Sequence, residues 1–322
     1  GFTWLPSASG NTYIYIAIRR PMKTPESGTE VFAPVLGVTA GTTITGFPVD
    51  YTIARNPSAS QQNFAFTRML GENYLATQST AAESATGIGN QFDVQNGIKL
   101  SGWFGVNSTV ISWNFKRAAG FMDVVAYTGN GTAGATQAHN LGVAPEFMIV
   151  KSRGSVRQWV TYDSTNGATG RMNLDDNGSW GAALQYWNNT APTDSVFTLG
   201  TQYDVNQSSI AYIAYLFASV AGVSKVGSYT GTGADLNVDC GFTAGARFIL
   251  IKRTDSTGDW YTYDSARGIV SGNDPYLLLN TTGAEVTNTD YIDPLASGFT
   301  VTSSAPAGLN ANGGTYIFLA IA

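Results

Sequence analysis

The side chains that could support catalysis are few and scattered. A nucleophile–histidine–acid triad could use only His139, the single histidine of the chain, which lies in a polar turn over residues 137–142. A matching turn at 239–241 has no histidine, so this type of turn does not need one. We therefore expect His139 to bond to the backbone of its own loop.

Two carboxylates are enough for glycoside hydrolysis, so acidic residues are the next candidates. Asp163 and Asp264 each follow an aromatic, strand-like segment at corresponding places in the chain. That position is typical of acids that form or cap turns. We expect structural acids and no enzyme, and the alternative is a depolymerase or lectin-like enzyme that uses two of the following residues: Glu146, Asp163, Asp204, Asp264, Glu285, Asp290 and Asp293.

Composition argues against several partners and cofactors. The 322 residues include 17 Lys and Arg against 22 Asp and Glu, and no basic cluster occurs, which disfavours nucleic-acid binding. No apolar run reaches the roughly 18 residues that a membrane-spanning helix needs. One cysteine, Cys240, and one histidine leave no set of soft metal ligands. The sequence therefore predicts no cofactor, no metal and no membrane insertion.

Aromatic residues are the remaining chemical signal. Trp180, Tyr186, Trp187 and Asn188 lie in a loop-rich stretch, and the aromatic residues among them do not recur about 100 positions later. Sugar rings stack on exposed aromatic side chains while neighbouring amides bind their hydroxyl groups. We therefore predict a carbohydrate or receptor site at these four residues, with filling of a subunit interface as the alternative role.

Repeated segments organise the chain that carries these residues. Tyr127 and Tyr229 open matching Tyr-Thr-Gly-x-Gly motifs, and Trp159 and Trp260 open matching aromatic segments that end in Tyr-Asp-Ser. An apolar closing strand recurs four times, at 12–18, 109–115, 211–217 and 315–321. These matches predict the end strands of a preceding repeat (1–20), a divergent first repeat (21–120), a second repeat (121–222) and a third (223–322).

Within each repeat the apolar pattern has a period of two. Short strands alternate with Gly-, Asn- and Asp-rich turns, about seven or eight strands to a repeat. The sequence therefore predicts an all-β fold of three tandem antiparallel β-sandwich units with a jelly-roll-like arrangement. The closing strands are apolar on both faces, so we expect them to be central strands that are covered on both sides.

The motifs resemble a repeat family in virion structural proteins of tailed bacteriophages, especially marine phages. Its pattern matches 127–131, His139 to Phe147 with 149–151, and 159–164, together with the closing strands. The similarity extends from about Val31 onward, and the first repeat is the most divergent. The family is a structural module, and it supplies no catalytic residues to transfer.

This resemblance implies a tail-fibre or tail-tip protein located in the virion. Such a protein would be a homo-oligomer, trimeric by analogy with fibres, and would contact other virion proteins and a host surface polysaccharide or receptor. A capsid-decorating or filament-forming protein is the structural alternative.

Overall fold

The computed structural model describes residues 22–89 and 91–322. The predicted end strands within residues 1–20 lie outside this part of the chain. The prediction of an all-β sandwich fold is confirmed, because several antiparallel sheets account for the regular structure and each described α-helix has only four residues. We call 22–120, 121–222 and 223–322 the first, second and third segments; their status as three repeats stays a prediction.

Each segment contains eight strands and one short α-helix. The first has η1 (Gly28–Glu30), β1 (Phe32–Val38), β2 (Thr43–Ile44), β3 (Tyr51–Arg55), β4 (Phe64–Thr67), η2 (Arg68–Leu70), β5 (Asn73–Ala76), β6 (Ser84–Ala85), β7 (Gly97–Ile98), α1 (Ser101–Phe104) and β8 (Asn107–Phe115). The second has β9 (Met122–Thr128), β10 (Ala135–Ala138), β11 (Phe147–Ser152), β12 (Val160–Asp163), β13 (Gly170–Asn173), β14 (Gly181–Ala182), β15 (Val196–Leu199), α2 (Tyr203–Asn206) and β16 (Ala211–Phe217). The third has β17 (Ser224–Thr230), β18 (Leu236–Asp239), β19 (Phe248–Arg253), β20 (Trp260–Asp264), β21 (Leu277–Leu278), β22 (Ile292–Leu295), β23 (Gly298–Val301), α3 (Ala307–Asn310) and β24 (Thr315–Ile321).

Every segment pairs one large sheet with one small sheet. The large sheets have the orders β1-β8-β3-β4-β5-β6, β14-β13-β12-β11-β16-β9 and β17-β24-β19-β20-β21. The small sheets are β2-β7, β10-β15 and β18-β23-β22. The closing strands β8, β16 and β24 each lie between the first and third strands of their segment, so the prediction that they are central is confirmed.

The closing strands bury both faces in different cores. In β24, Ile317 and Leu319 enter a core shared by all three segments, whereas Tyr316 and Phe318 enter the core of the third segment alone. Alternate side chains of a strand point to opposite faces, which explains this division. The shared core takes residues from all three large sheets, so each large sheet is covered by its own small sheet outside and by the other segments inside.

The recurring Tyr-Thr-Gly-x-Gly motif forms a turn that a buried asparagine holds. Asn206 Oδ1 accepts hydrogen bonds from the N–H groups of Asn130 (2.9 Å) and Gly131 (3.4 Å). The ring of Tyr127 stacks on Tyr212 with centroids 5.2 Å apart. The third segment repeats this arrangement with Asn310 and the stacked pair Tyr229–Tyr316. The motif therefore specifies a turn, and its tyrosine is a packing residue.

Replacing Gly129 by alanine should destabilise this turn by about 1–3 kcal/mol, the usual range for overpacking. A Cβ at position 129 would lie 2.4 Å from the carbonyl oxygen of Gln207, so the backbone would have to move. Gly181→Ala is the matched control, because Gly181 has no positive φ and a Cβ at that position would meet no atom within 4 Å. Urea denaturation of both variants checks this prediction, and equal losses of stability would contradict it.

The two ends of the described chain meet. A Cβ on Gly28 would overlap the carbonyl oxygen of Ala322, and the N–H of Ala322 donates to Val223 O at 2.9 Å. The N–H of Lys116 donates to Val31 O at 2.8 Å in the same way after the closing strand of the first segment. The third segment therefore contacts the first where the chain enters β1.

Candidate functional site

The two acids at corresponding positions hold turns. Asp163 Oδ1 accepts from the backbone N–H of Asn166 at 2.8 Å, and Asp264 Oδ1 accepts from the N–H groups of Ala266 and Arg267 at 3.0 Å each. Burial raises the pKa of Asp163, although its hydrogen bonds to Asn166 oppose that shift. The prediction that these carboxylates cap turns is confirmed.

His139 bonds to the backbone of its own region, as predicted. Its Nδ1 accepts from the N–H of Leu141 at 3.2 Å, so its Nε2 carries the proton that it donates to Thr193 O at 3.2 Å. Burial lowers the pKa of the imidazole. These bonds occupy both ring nitrogens of the neutral tautomer, and the ring serves to join two loops.

Two of the four predicted binding residues are core residues. Trp187 is 1% exposed, and its indole Nε1 donates to Gly170 O at 3.1 Å. Tyr186 is 6% exposed, donates to Asp204 at 3.0 Å and lies under the guanidinium of Arg171. Neither ring has a face free to stack on a sugar in this conformation.

The other two predicted residues, Trp180 and Asn188, differ in their exposure to solvent. Trp180 is partly buried and packs over Gly170 and against the shared core. Its backbone N–H donates to Thr254 O of the third segment at 2.9 Å. Asn188 is exposed and has a φ of +52°. The structure thus brings Trp180 to a contact between segments and leaves only Asn188 at the surface.

Large buried side chains also join the segments. Trp159 of the second segment donates its indole N–H to Ala76 O at 3.0 Å in the first, and Trp260 donates to Asn173 O at 2.8 Å in the second. Asn63 occupies the matching position in the first segment, one residue before β4, and its amide donates to carbonyl oxygens of the third segment. The recurring tryptophans are therefore contacts between segments.

Buried cations form a second set of contacts at the same places. Lys151 of β11 donates to Thr80 O of the first segment at 3.0 Å, and Lys252 of β19 donates to Asn177 O of the second at 3.1 Å. Both lysines are fully buried, and burial lowers the pKa of each ammonium to about 8.

Arg55 makes the corresponding contact from the first segment to the third. It ends β3, four residues after Tyr51, as Lys151 lies four residues after the start of β11. Its Nη2 donates to Thr282 O at 3.1 Å and Gly283 O at 2.7 Å. Burial lowers the pKa of the guanidinium to about 10. Contacts therefore run from the first segment to the third, from the second to the first and from the third to the second, which closes a ring.

A buried ion cluster reinforces the contact between the first and third segments. Arg267 Nε donates to Asp264 Oδ2 at 2.6 Å, and its Nη1 donates to Glu285 Oε1 at 2.9 Å. Trp113 of the first segment donates its indole N–H to the same Asp264 oxygen at 2.9 Å. Two of the candidate catalytic acids, Asp264 and Glu285, are thus bridged by an arginine.

Asp274 is a buried carboxylate that accepts from the backbone of a neighbouring strand. Its oxygens accept from the N–H groups of Tyr291 and Ile292, both at 3.0 Å. Burial raises its pKa to about 7, and the nearby Asp290 and Asp293 add to the effect. The group therefore binds a proton more tightly in the folded state than in the unfolded chain.

The free energy of unfolding should depend on pH through the ionisation of Asp274. Because its folded pKa of about 7 exceeds the ordinary value of 3.8, its contribution to stability is largest at low pH and is lost as the pH rises from about 4 to about 7. Asp274→Asn removes the ionisation. The change that this substitution causes in the free energy of unfolding should therefore be more favourable at pH 8 than at pH 5, by roughly 1–2 kcal/mol. Denaturant titrations at both pH values check this; a difference that does not change with pH would contradict it.

An open groove lies between the two edge strands of the third segment. Lys225, Gly227 and Tyr229 of β17 line one side, Asn237 and Asp239 of β18 line the other, and the volume is about 410 Å³. Sequence reasoning missed this groove because strands on different sheets form it. The first segment has an apolar groove of about 450 Å³ between β1 and β2, where Leu36, Ile44 and Val106 are exposed.

No group of three or more metal-ligating side chains occurs in the part of the chain that the structure describes. Cys240 is buried, and burial raises the pKa of its thiol to about 12. Within the same residues, no helix has the length and hydropathy to cross a bilayer.

Comparison with known proteins places the chain in a family. No curated protein matches it. The model of a domain of unknown function, DUF7483, matches residues 36–322. This match runs through all three segments and includes the groove of the third segment and the contacts that Arg55, Lys151 and Lys252 make between segments. The chain therefore belongs to the DUF7483 family.

Proposed function

We propose that this chain is a structural protein of a bacteriophage virion, a tail-fibre or tail-tip component that assembles with itself and attaches to the host surface. The proposal assigns it scaffolding and binding and no catalysis. It places the protein on the virion, as a homotrimer by analogy with fibres, with other virion proteins and a surface polysaccharide or receptor as partners.

The observation that carries the proposal is the closed ring of segments. Each junction combines a buried cation, a tryptophan or asparagine side chain and backbone hydrogen bonds. Three segments joined in this way resist deformation. Rigidity suits a virion component that holds the particle to the surface of a cell. The resemblance of the sequence motifs to virion modules adds the location.

The engagement of the acids supports binding over hydrolysis. Hydrolysis of glycosides needs one acid free to donate a proton and a second carboxylate facing the same bond. Asp163 and Asp264 cap turns, and Arg267 bridges Asp264 to Glu285. These carboxylates already have hydrogen-bond or ion-pair partners that fix them in place.

Binding to a panel of purified bacterial envelope polysaccharides tests the proposal, with release of reducing ends measured in the same samples. Saturable binding without new reducing ends is the expected result. Cleavage would overturn the non-catalytic assignment. Absence of binding to every polymer would overturn the attachment role. An unrelated β protein of similar net charge controls for adsorption, and light scattering measures the oligomeric state.

A further inference from the structure

The third segment differs from the other two at one strand pair beside its groove. Gly227 of β17 lies opposite Phe318 of β24, whereas the corresponding pairs are Val35–Ser112 in the first segment and Val125–Ala214 in the second. The large residue is on the edge strand in those two pairs and on the closing strand in the third. The exchange leaves β17 without a side chain at the centre of the groove.

The ring of Phe318 occupies the space at the base of the groove that a side chain at position 227 would otherwise fill. A Cβ on Gly227 would lie 2.7 Å from Cζ of Phe318, so the ring lies directly under the glycine. Lys225 and Tyr229 stand on the same face of β17 on either side of Gly227, because alternate residues of a strand share a face. The groove therefore has an apolar floor between two side-chain walls.

The polar groups of the groove are available to a ligand. The Lys225 ammonium is half-buried and forms no hydrogen bond or ion pair with any residue in 22–89 or 91–322. Asn237 uses its Oδ1 to accept from Thr300, which leaves its amide N–H groups to donate. Asp239 uses one carboxylate oxygen to accept from the N–H of Gly241, which leaves the other as an acceptor.

We propose that this groove binds an acidic sugar residue of the hexuronic acid class. The sugar carboxylate would pair with Lys225, its hydroxyl groups would bond to Asn237 and Asp239, and its apolar face would lie over the Gly227–Phe318 floor. The volume is within the range of about 300–1,000 Å³ that is usual for ligand sites. The carboxylate of Asp239 on the opposite wall disfavours a polyphosphate. This inference rests on the proposed attachment role and names its site and ligand class.

Titration of the isotope-labelled chain with D-glucuronate, followed by two-dimensional amide NMR, tests the site directly. The amides of Ser228, Asn237 and Asp239 should shift, and D-glucose should shift them at least tenfold more weakly, because a charge-assisted bond contributes about 1.5–3 kcal/mol. Lys225→Gln should weaken glucuronate binding about tenfold, whereas Lys99→Gln, at an exposed lysine of the first segment, should leave it unchanged. Groove amides that do not respond to glucuronate would overturn the proposal.

Exchange of the Gly227–Phe318 pair for the residues of the second segment tests the role of the groove floor. The double variant Gly227→Val/Phe318→Ala installs the Val–Ala pair that the second segment carries at the matching register, so it should fold. It should lose glucuronate binding while the amide spectra of the first and second segments stay unchanged. If the wild-type chain binds acidic polysaccharides and this variant binds them equally well, the groove assignment fails but attachment stands. If glucuronate binds the groove and no envelope polymer is bound, the groove stands and attachment fails.

Discussion

Replacing Arg267 by methionine should lower the free energy of unfolding by about 3–5 kcal/mol, the range for removing one partner of a buried ion pair. The Arg267 and Asp264 side chains are 3% and 0% exposed, so the variant leaves a buried carboxylate without its counterion. Arg267 also lies over the ring of Trp113, so contact with the first segment weakens too. Chemical denaturation of the variant measures the loss.

A second substitution separates charge from packing at this cluster. Asp264→Asn in the Arg267→Met background removes the unpaired charge and keeps an oxygen that can accept from the backbone N–H groups of the turn. We expect the double variant to recover at least 1 kcal/mol of the loss. If the double variant is less stable than the single one, the effect of Arg267 is packing and not ion pairing.

Replacing Arg55 by methionine should lower the free energy of unfolding by about 1.5–3 kcal/mol, the range for hydrogen bonds to a charged group. Its guanidinium supplies the hydrogen bonds that Ala59, Thr282 and Gly283 accept, together with the side chain of Asn63. Without it, the buried side-chain oxygen of Asn63 and the partly buried carbonyl oxygens on both sides of the contact between the first and third segments lose a charged donor. Thermal and urea unfolding of the variant provide the measurement.

The other two junctions supply the control for this prediction. Lysine occupies the corresponding position at Lys151 and Lys252, so Arg55→Lys should recover more than half of the stability that Arg55→Met loses. Lys151→Met and Lys252→Met should each destabilise the chain to a comparable degree. An Arg55→Lys variant as unstable as Arg55→Met would contradict the equivalence of the three junctions.

Local patterns in the sequence predicted much of the fold. The closing strands at 211–217 and 315–321 coincide with β16 and β24, because their apolar residues on both faces suit only a central strand. The turn roles of Asp163 and Asp264 were predictable for the same reason: a turn-capping acid bonds to residues close to it in sequence. Recurrence at a constant spacing made each of these signals stronger.

The surroundings of the predicted binding residues could not be predicted in the same way. Non-recurrence suggested that Tyr186 and Trp187 face a ligand, but their loop folds back so that Trp187 bonds to Gly170 and both rings are buried. The recurring lysines after Ile-Val and Leu-Ile carried a usable signal, because a lysine inside a buried strand needs hydrogen-bond acceptors. The loop that supplies these acceptors depends on how the segments pack against one another. The sequence pattern does not predict that packing.

Differential scanning calorimetry tests most directly whether the three segments form one closed body. Comparison of the calorimetric enthalpy with the van't Hoff enthalpy gives the size of the cooperative unit. We expect a single transition with a ratio close to one, and we expect Arg55→Met to lower its midpoint without splitting it. Separate transitions for the segments, or a ratio close to three, would contradict the closed ring of contacts on which the proposed role rests.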